Sequence, residues 1–169
     1  MMAVVQRALR LTSLLAVLAV LALGGLGRLY LDLKRVQDTS AAAAQAQQAA
    51  RAYAADMLSY DHRTIEADLA RARSHATGPL AEHYANLAGT FVPQVRRERK
   101  VQQATVAAVA VEEASPERVK VLVFLNTTTS RTEGPAEVVQ NRARLVMVVT
   151  DGRWLVSGLS TLIGNTPIR

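Results

Sequence analysis

The sequence predicts an α+β fold: one N-terminal membrane-spanning helix, then about three helices packed on a four-stranded, curved antiparallel sheet. Three observations predict it. Residues 11–27 form an uncharged, almost wholly apolar run; residues 41–91 carry apolar side chains at helical spacing; and from Val101 onward the hydrophobic period drops to two. Helices first and a run of strands afterwards is the order of an α+β domain.

The run LTSLLAVLAVLALGGLG is 17 residues, or roughly 26 Å of helix at ~1.5 Å per residue, slightly short of a ~30 Å hydrocarbon core. Leu11, Leu14, Leu18, Leu21 and Leu26 supply its bulk. Arg28 closes the gap by snorkelling toward the head groups, which lets the span extend to residue 31 and sets Tyr30 at the interface. The run exceeds the ~7–15 apolar residues of a secretory signal and no small-x-small cleavage site follows it, so an uncleaved anchor is expected. Residues 1–10 then form a short tail. Arg7 and Arg10 before the span nearly balance Arg28, Lys34 and Arg35 after it, so flanking charge leaves the orientation open.

The remainder is one domain. Of 20 basic residues, Arg7, Arg10 and Arg28 belong to the anchor; the 17 left against 14 acidic ones give a mild excess. With one Trp, four Tyr and two Phe there is no stacking platform for nucleic acid, which excludes that class of partner. The absence of Cys removes disulfides and thiolate metal sites.

Residues 32–39 read as a polar juxtamembrane connector, with the domain over 40–165 and Ser40 as a cap. An Ala/Gln-rich helix is predicted from 41 to 59, with Ala46, Ala49 or Ala50, Tyr53, Met57 and Tyr60 on its apolar face. A second helix starts at Thr64, its first turn carrying Glu66 and Asp68 and its apolar face Ile65, Leu69, Ala72 and Ala76; Gly78 ends it. Pro79 opens a third, with Leu80, Tyr84, Leu87 and Phe91 on one face. Pro93 conflicts with the carbonyl of Gly89 and predicts a kink or change of direction. Strands follow at about 101–112, 118–128, 138–150 and 153–162. In the second, Val119, Val121, Val123 and Leu125 alternate with their neighbours; in the third, Ala143, Leu145, Met147 and Val149 do so. Ser115-Pro116 and the tight Asp151-Gly152 pair mark turns.

Chemistry-bearing residues are few. Tyr53, Asp56, Tyr60 and Asp61 form the one Tyr/Asp cluster, read chiefly as a Tyr-lined core with Asp61 capping the next helix and paired to Arg63. His62, His75 and His83 lack the i, i+3/4 spacing of metal ligands and read as surface residues. Ser157 has no Gly-x-Ser-x-Gly elbow, and no phosphate-cradling loop is present, so no catalytic, cofactor or metal residue is assigned. Arg96, Arg97, Arg99 and Lys100 form a basic patch suited to anionic head groups or an acidic partner. Tyr53, Tyr60, Phe91, Phe124 and Trp154 are the candidate lining of a helix–sheet cleft.

Three phrases in order behind a single span carry a resemblance: Tyr60-Asp61-x-Arg63-Thr64, Ala114-Ser115-Pro116-x-Arg118-Val119 and Asp151-Gly152-Arg153-Trp154-Leu155-Val156. Within residues 58–80, 104–129 and 142–159 the chain resembles the Mce-associated membrane proteins of actinobacteria. The resemblance implies a cystatin-like or nuclear-transport-factor-2-like domain outside the cytoplasmic membrane, with the N-terminus inside. It implies a non-enzymatic accessory or scaffold role in complexes that move lipids or sterols, with membrane and envelope transport subunits or related family members as partners. An extracytoplasmic lipid- or sterol-binding module is the alternative, and a steroid-isomerase-like enzyme a more remote one. In architecture the chain is also distantly similar to the periplasmic scaffold subunits of type IV secretion systems.

Overall fold

The computed structural model describes the backbone of residues 2–131, 134–163 and 166–167, and the side chains of residues 21, 23–131 and 134–161. The chain divides into two units, Met1–Asp38 and Thr39–Arg169. Helix α1 is Met2–Leu58, and most of the apolar run, including Leu11, Leu14 and Leu18, lies outside the residues with described side chains. Among the described residues no helix is long and apolar enough to cross a membrane. The predicted break at 32–39 is not there: Ser40 sits inside α1 and caps nothing. The connector is polar, yet Asp32, Lys34, Arg35 and Gln37 bring no Gly or Pro, and polar residues of this kind continue a helix readily.

In the second unit, α1 presents a ridge of Ala42, Ala46, Ala50 and Ala54, each no more than 5% exposed, followed by buried Met57. These i, i+4 methyls lie one above the other and let the helix approach a surface closely. That surface is the inner face of the sheet, where Val119, Val121, Val123, Leu125, Ala143, Leu145 and Met147 join the same core. Gln47 Nε2 reinforces the contact by donating to the Val109 carbonyl at 2.9 Å.

The helix ends at Leu58, so Tyr60 leaves the predicted helical face and opens β1, Tyr60–Asp61, which pairs with β2 through Tyr60↔Gln102. Helix α2 spans Ile65–Ser74 and α3 spans Pro79–Glu98. Ile65, Ala72 and Ala76 are buried as their spacing requires. Gly78, at φ +58, breaks the chain between the two helices. α3 runs on through Pro93 to Glu98, and Gly89 and Pro93 are both exposed.

Strands β2 (Val101–Ala114), β3 (Arg118–Ser130), β4 (Glu137–Thr150) and β5 (Arg153–Ile163) form an antiparallel meander, with β6 (Thr166–Pro167) on its far edge. Among the described residues six strands in sequence order replace the four predicted, because two-residue strands carry no period. Val149, expected inside, is 42% exposed; beside it the tight turn places Asp151 and Gly152 at φ +51 and +73, the left-handed pair of a type I′ hairpin.

Candidate functional site

The five predicted cleft residues do not share one cleft. Phe124 pairs with Ala108 and Arg142 on the opposite face of the sheet from the α1-packed row, where the Arg142 guanidinium lies 6.0 Å from its ring. Trp154 packs at the edge of the main core and donates from Nε1 to Gln45 Oε1 at 3.2 Å. Tyr53 stacks on His75, ring centroids 4.2 Å apart. Only Tyr60 and Phe91 come together, edge to face at 5.1 Å. They help to line a cavity of about 170 Å³ with Met57, Leu69, Tyr84 and Leu87, between the end of α1, α2 and α3.

The Tyr/Asp cluster is bound up in its own fold. Asp61 accepts from the Arg63 backbone N–H at 2.8 Å and from its guanidinium, as the sequence suggested. The Arg63 hydrogen bonds hold the Asp61 carboxyl down at about 2, so it is a weak base. Asp56 bonds His75 Nε2 at 3.0 Å, tying α1 to the end of α2. His75 is therefore a half-buried clamp rather than a surface residue, and His62, 3.3 Å from Asp61, is also partly covered; His83 is exposed. Tyr60 donates to Gln102 Oε1 at 3.3 Å and the buried Tyr84 hydroxyl to the Met57 carbonyl at 3.1 Å. Burial pushes the Tyr84 phenol up to about 12. The Tyr60 and Tyr84 hydroxyls thus bond partners other than the aspartates.

The sequence places Asp68 in the first turn of α2 only as a complement to the helix dipole. It is 6% exposed and accepts from the Asp61 N–H (2.9 Å), the Thr64 hydroxyl (2.9 Å) and Arg71 Nη2 (2.6 Å). One carboxylate thereby fastens the loop that enters α2. The signal was present in Thr64-x-x-x-Asp68, a hydroxyl one helical turn before an acid.

The basic patch is divided. Arg96 pairs with Glu66 of α2, and Lys100 lies over the Tyr60 ring at 5.7 Å. Arg97 and Arg99 are exposed, with Arg99 closing α3 in the left-handed region at φ +46.

In the first unit, Leu21, Leu23, Leu26, Leu29, Tyr30, Leu31, Leu33 and Val36 are 56–70% exposed. Leu26, Leu29, Leu33 and Val36 recur at 3-4-3 spacing, a stripe along one side of α1, while Arg28, Asp32 and Arg35 form a separate polar stripe.

A helix ridge and two further helices packed on one face of an antiparallel meander define an α+β domain. The solved structures agree at the level of fold. An IcmL-like type IV secretion system protein from Legionella pneumophila superposes with a TM-score of 0.59 at 13% identity, over 75% of this chain and 93% of that one. An Ntf2-like protein involved in plasmid conjugation gives 0.50 at 16%, over 75% and 50%. The family model described as "Uncharacterized protein Rv1363c/MT1408-like" matches residues 6–159, and the chain belongs to that family. Outer membrane protein Rv1973 of Mycobacterium tuberculosis (strain ATCC 25618 / H37Rv) is 32% identical over 123 residues, 72% of this chain and 77% of that protein.

Proposed function

We propose that this protein is a non-enzymatic, membrane-anchored scaffold or accessory subunit of an Mce-type envelope complex that moves lipids or sterols, its domain lying outside the cytoplasmic membrane. The observation that carries the reading is the exposed apolar surface of α1 from Leu21 to Val36. Contiguous apolar side chains on several sides of a helix are costly in water and call for a bilayer or a partner helix. Residues 11–31 supply the bilayer-length part; the stripe of Leu26, Leu29, Leu33 and Val36 continues past it and suits a neighbouring subunit's helix. The same helix, α1, supplies the alanine ridge of the domain core further along its length.

The relative named as an outer membrane protein points to the envelope but to a different membrane. A membrane barrel turns its apolar side chains outward to lipid; here the fully buried row of β3, Val119 to Leu125, packs against α1. A helical anchor is the route these residues favour.

The test is purification of the full-length tagged protein in mild detergent. Lipid-transport subunits should co-purify with the wild type and be lost with Leu29→Glu/Leu33→Glu. A complex that forms without those subunits, or one indifferent to the double substitution, defeats the proposal. A reporter active only outside the membrane, fused at Arg169, should be active; a silent but expressed fusion reverses the orientation.

The cavity around Tyr60 and Phe91 favours a second reading, direct lipid contact. Its ~170 Å³ is near the size of cavities that take up benzene and below the ~300 Å³ of ordinary ligand pockets. It suits the end of an acyl chain and is too small to enclose a sterol.

A further inference from the structure

The exposed stripe of α1 has the spacing of a coiled-coil seam. Leu26, Leu29, Leu33 and Val36 follow one another at intervals of three, four and three residues, which puts Leu26 and Leu33 at a positions and Leu29 and Val36 at d positions of a heptad. In sequence, Leu15, Ala19 and Ala22 continue the same register back through the apolar run. The four seam side chains are 56–67% exposed. At 3.6 residues per turn, the charges of this segment, Arg28, Asp32, Lys34, Arg35 and Asp38, all fall on the opposite arc of the helix. The arc between Lys34 and Asp32 carries the seam, with Tyr30 and Gln37 along one edge.

The flanks of the seam match those of an identical helix lying parallel to it. In such a pair the g residue of one helix faces the e residue of the next heptad on the other, and two-fold symmetry makes each such contact twice. Gly25 at g faces the other copy's Tyr30 at e, so the position without a side chain lies opposite the bulkiest flanking one. Asp32 at g faces the other copy's Gln37 at e, an acceptor carboxylate opposite an amide that donates. No like charges meet across the seam. Asp32 also limits the number of strands, because g positions turn inward in larger bundles and an inward carboxylate loses its hydration.

We infer that α1 pairs in parallel with α1 of a second copy of this chain through Leu26, Leu29, Leu33 and Val36. The inference rests on the anchored-scaffold reading and names the neighbouring helix that reading calls for. Two copies inserted in one direction run parallel, and equal spans hold their seams at one height above the bilayer.

The chain contains no Cys, so a single introduced cysteine reports only its own surroundings. Two differently tagged full-length copies carrying the same cysteine are expressed together and oxidised in isolated membranes. Leu29→Cys, Leu33→Cys and Val36→Cys should each give a disulfide-linked band bearing both tags, at least about fivefold stronger than Leu31→Cys or Lys34→Cys on the other side of the helix. All five positions are exposed, so none of these substitutions disturbs a core. Gln37→Glu sets a carboxylate against the other copy's Asp32 and should lower the Val36→Cys yield about threefold; adding Asp32→Asn should restore it. Equal yields around the helix, a yield indifferent to Gln37→Glu, or no doubly tagged band from the three seam cysteines overturns the pairing. A band joining one tag to a foreign protein gives the stripe to another subunit and overturns it too, while leaving the scaffold reading in place. That reading is followed separately, by the chain's recovery in the membrane fraction and by the subunits that co-purify with it.

Discussion

Asp68 sits in the first turn of α2, where a carboxylate favours the helix dipole, yet its three donors make it the fastening of the whole 61–68 loop. Asp68→Ala leaves the Asp61 N–H without its acceptor and Arg71 with the longer 3.7 Å pairing to Asp56, and should lower stability by about 2–3 kcal/mol, since hydrogen bonds to charged groups are the strong ones. Glu66→Ala, in the same turn but exposed and paired only with Arg96, should cost under about 1 kcal/mol; urea denaturation of the two variants measures the contrast. Asp61 adds a pH dependence. Its carboxyl falls from 3.8 to about 2 through the Arg63 hydrogen bonds, so its contribution is fully present above about pH 4 and is lost as pH falls toward 2. Arg63→Ala lets the folded-state value return toward 3.8. The urea midpoint of the wild type should therefore fall more steeply than that of the variant between about pH 4 and 2, and parallel curves would remove the pair from the account.

Among the elements, the alanine ridge of α1 and the β4–β5 hairpin make the sharpest demands on sequence. Ala50 is fully buried against the sheet while Ala44 faces solvent. Ala50→Leu should cost about 1–3 kcal/mol through overpacking and Ala44→Leu no more than about 0.5 kcal/mol, a difference readable as a shift in the thermal midpoint. At the hairpin, a Cβ on Gly152 would meet nothing within 4 Å. Gly152→Ala therefore isolates the backbone cost of φ +73, about 1–2 kcal/mol.

The long strands and the ridge were legible because burial imposes a period on them. Val119 to Leu125 and Ala46, Ala50 and Met57 could be read directly, and each long strand ended within two residues of its expected bounds. Phe124 was misplaced because both alternating sets of β3 are apolar, so parity divided Leu122 and Phe124 from Val123 and Leu125 without saying which set α1 would cover. Register irregularities at Val106/Ala108, Val111/Glu113 and Val146/Met147 add shifts that no periodic pattern records. Thr127 and Asn141 stayed hidden for the opposite reason: polar residues in a strand read as its solvent side, although register turns both inward.

For the molecule as a whole, the proposed anchor either only holds the domain at a membrane or also contacts the proposed complex. Gly24, Gly25 and Gly27 fall within the apolar run, and a Cβ added at any of them would meet nothing within 4 Å, so the fold itself does not require their small size. Small residues in a membrane helix let a second helix approach closely, and the exposed stripe from Leu26 to Val36 continues on that helix. Replacing residues 11–27 with an unrelated apolar segment of equal length keeps the tether and removes the glycines. The domain's thermal midpoint and its recovery in the membrane fraction should be unchanged, because the core begins at Ala42. Recovery of transport subunits with the tagged protein should fall. Full recovery would leave the span as a tether and shift the burden of contact to Leu29 and Leu33, whose double substitution then decides whether α1 meets the complex at all.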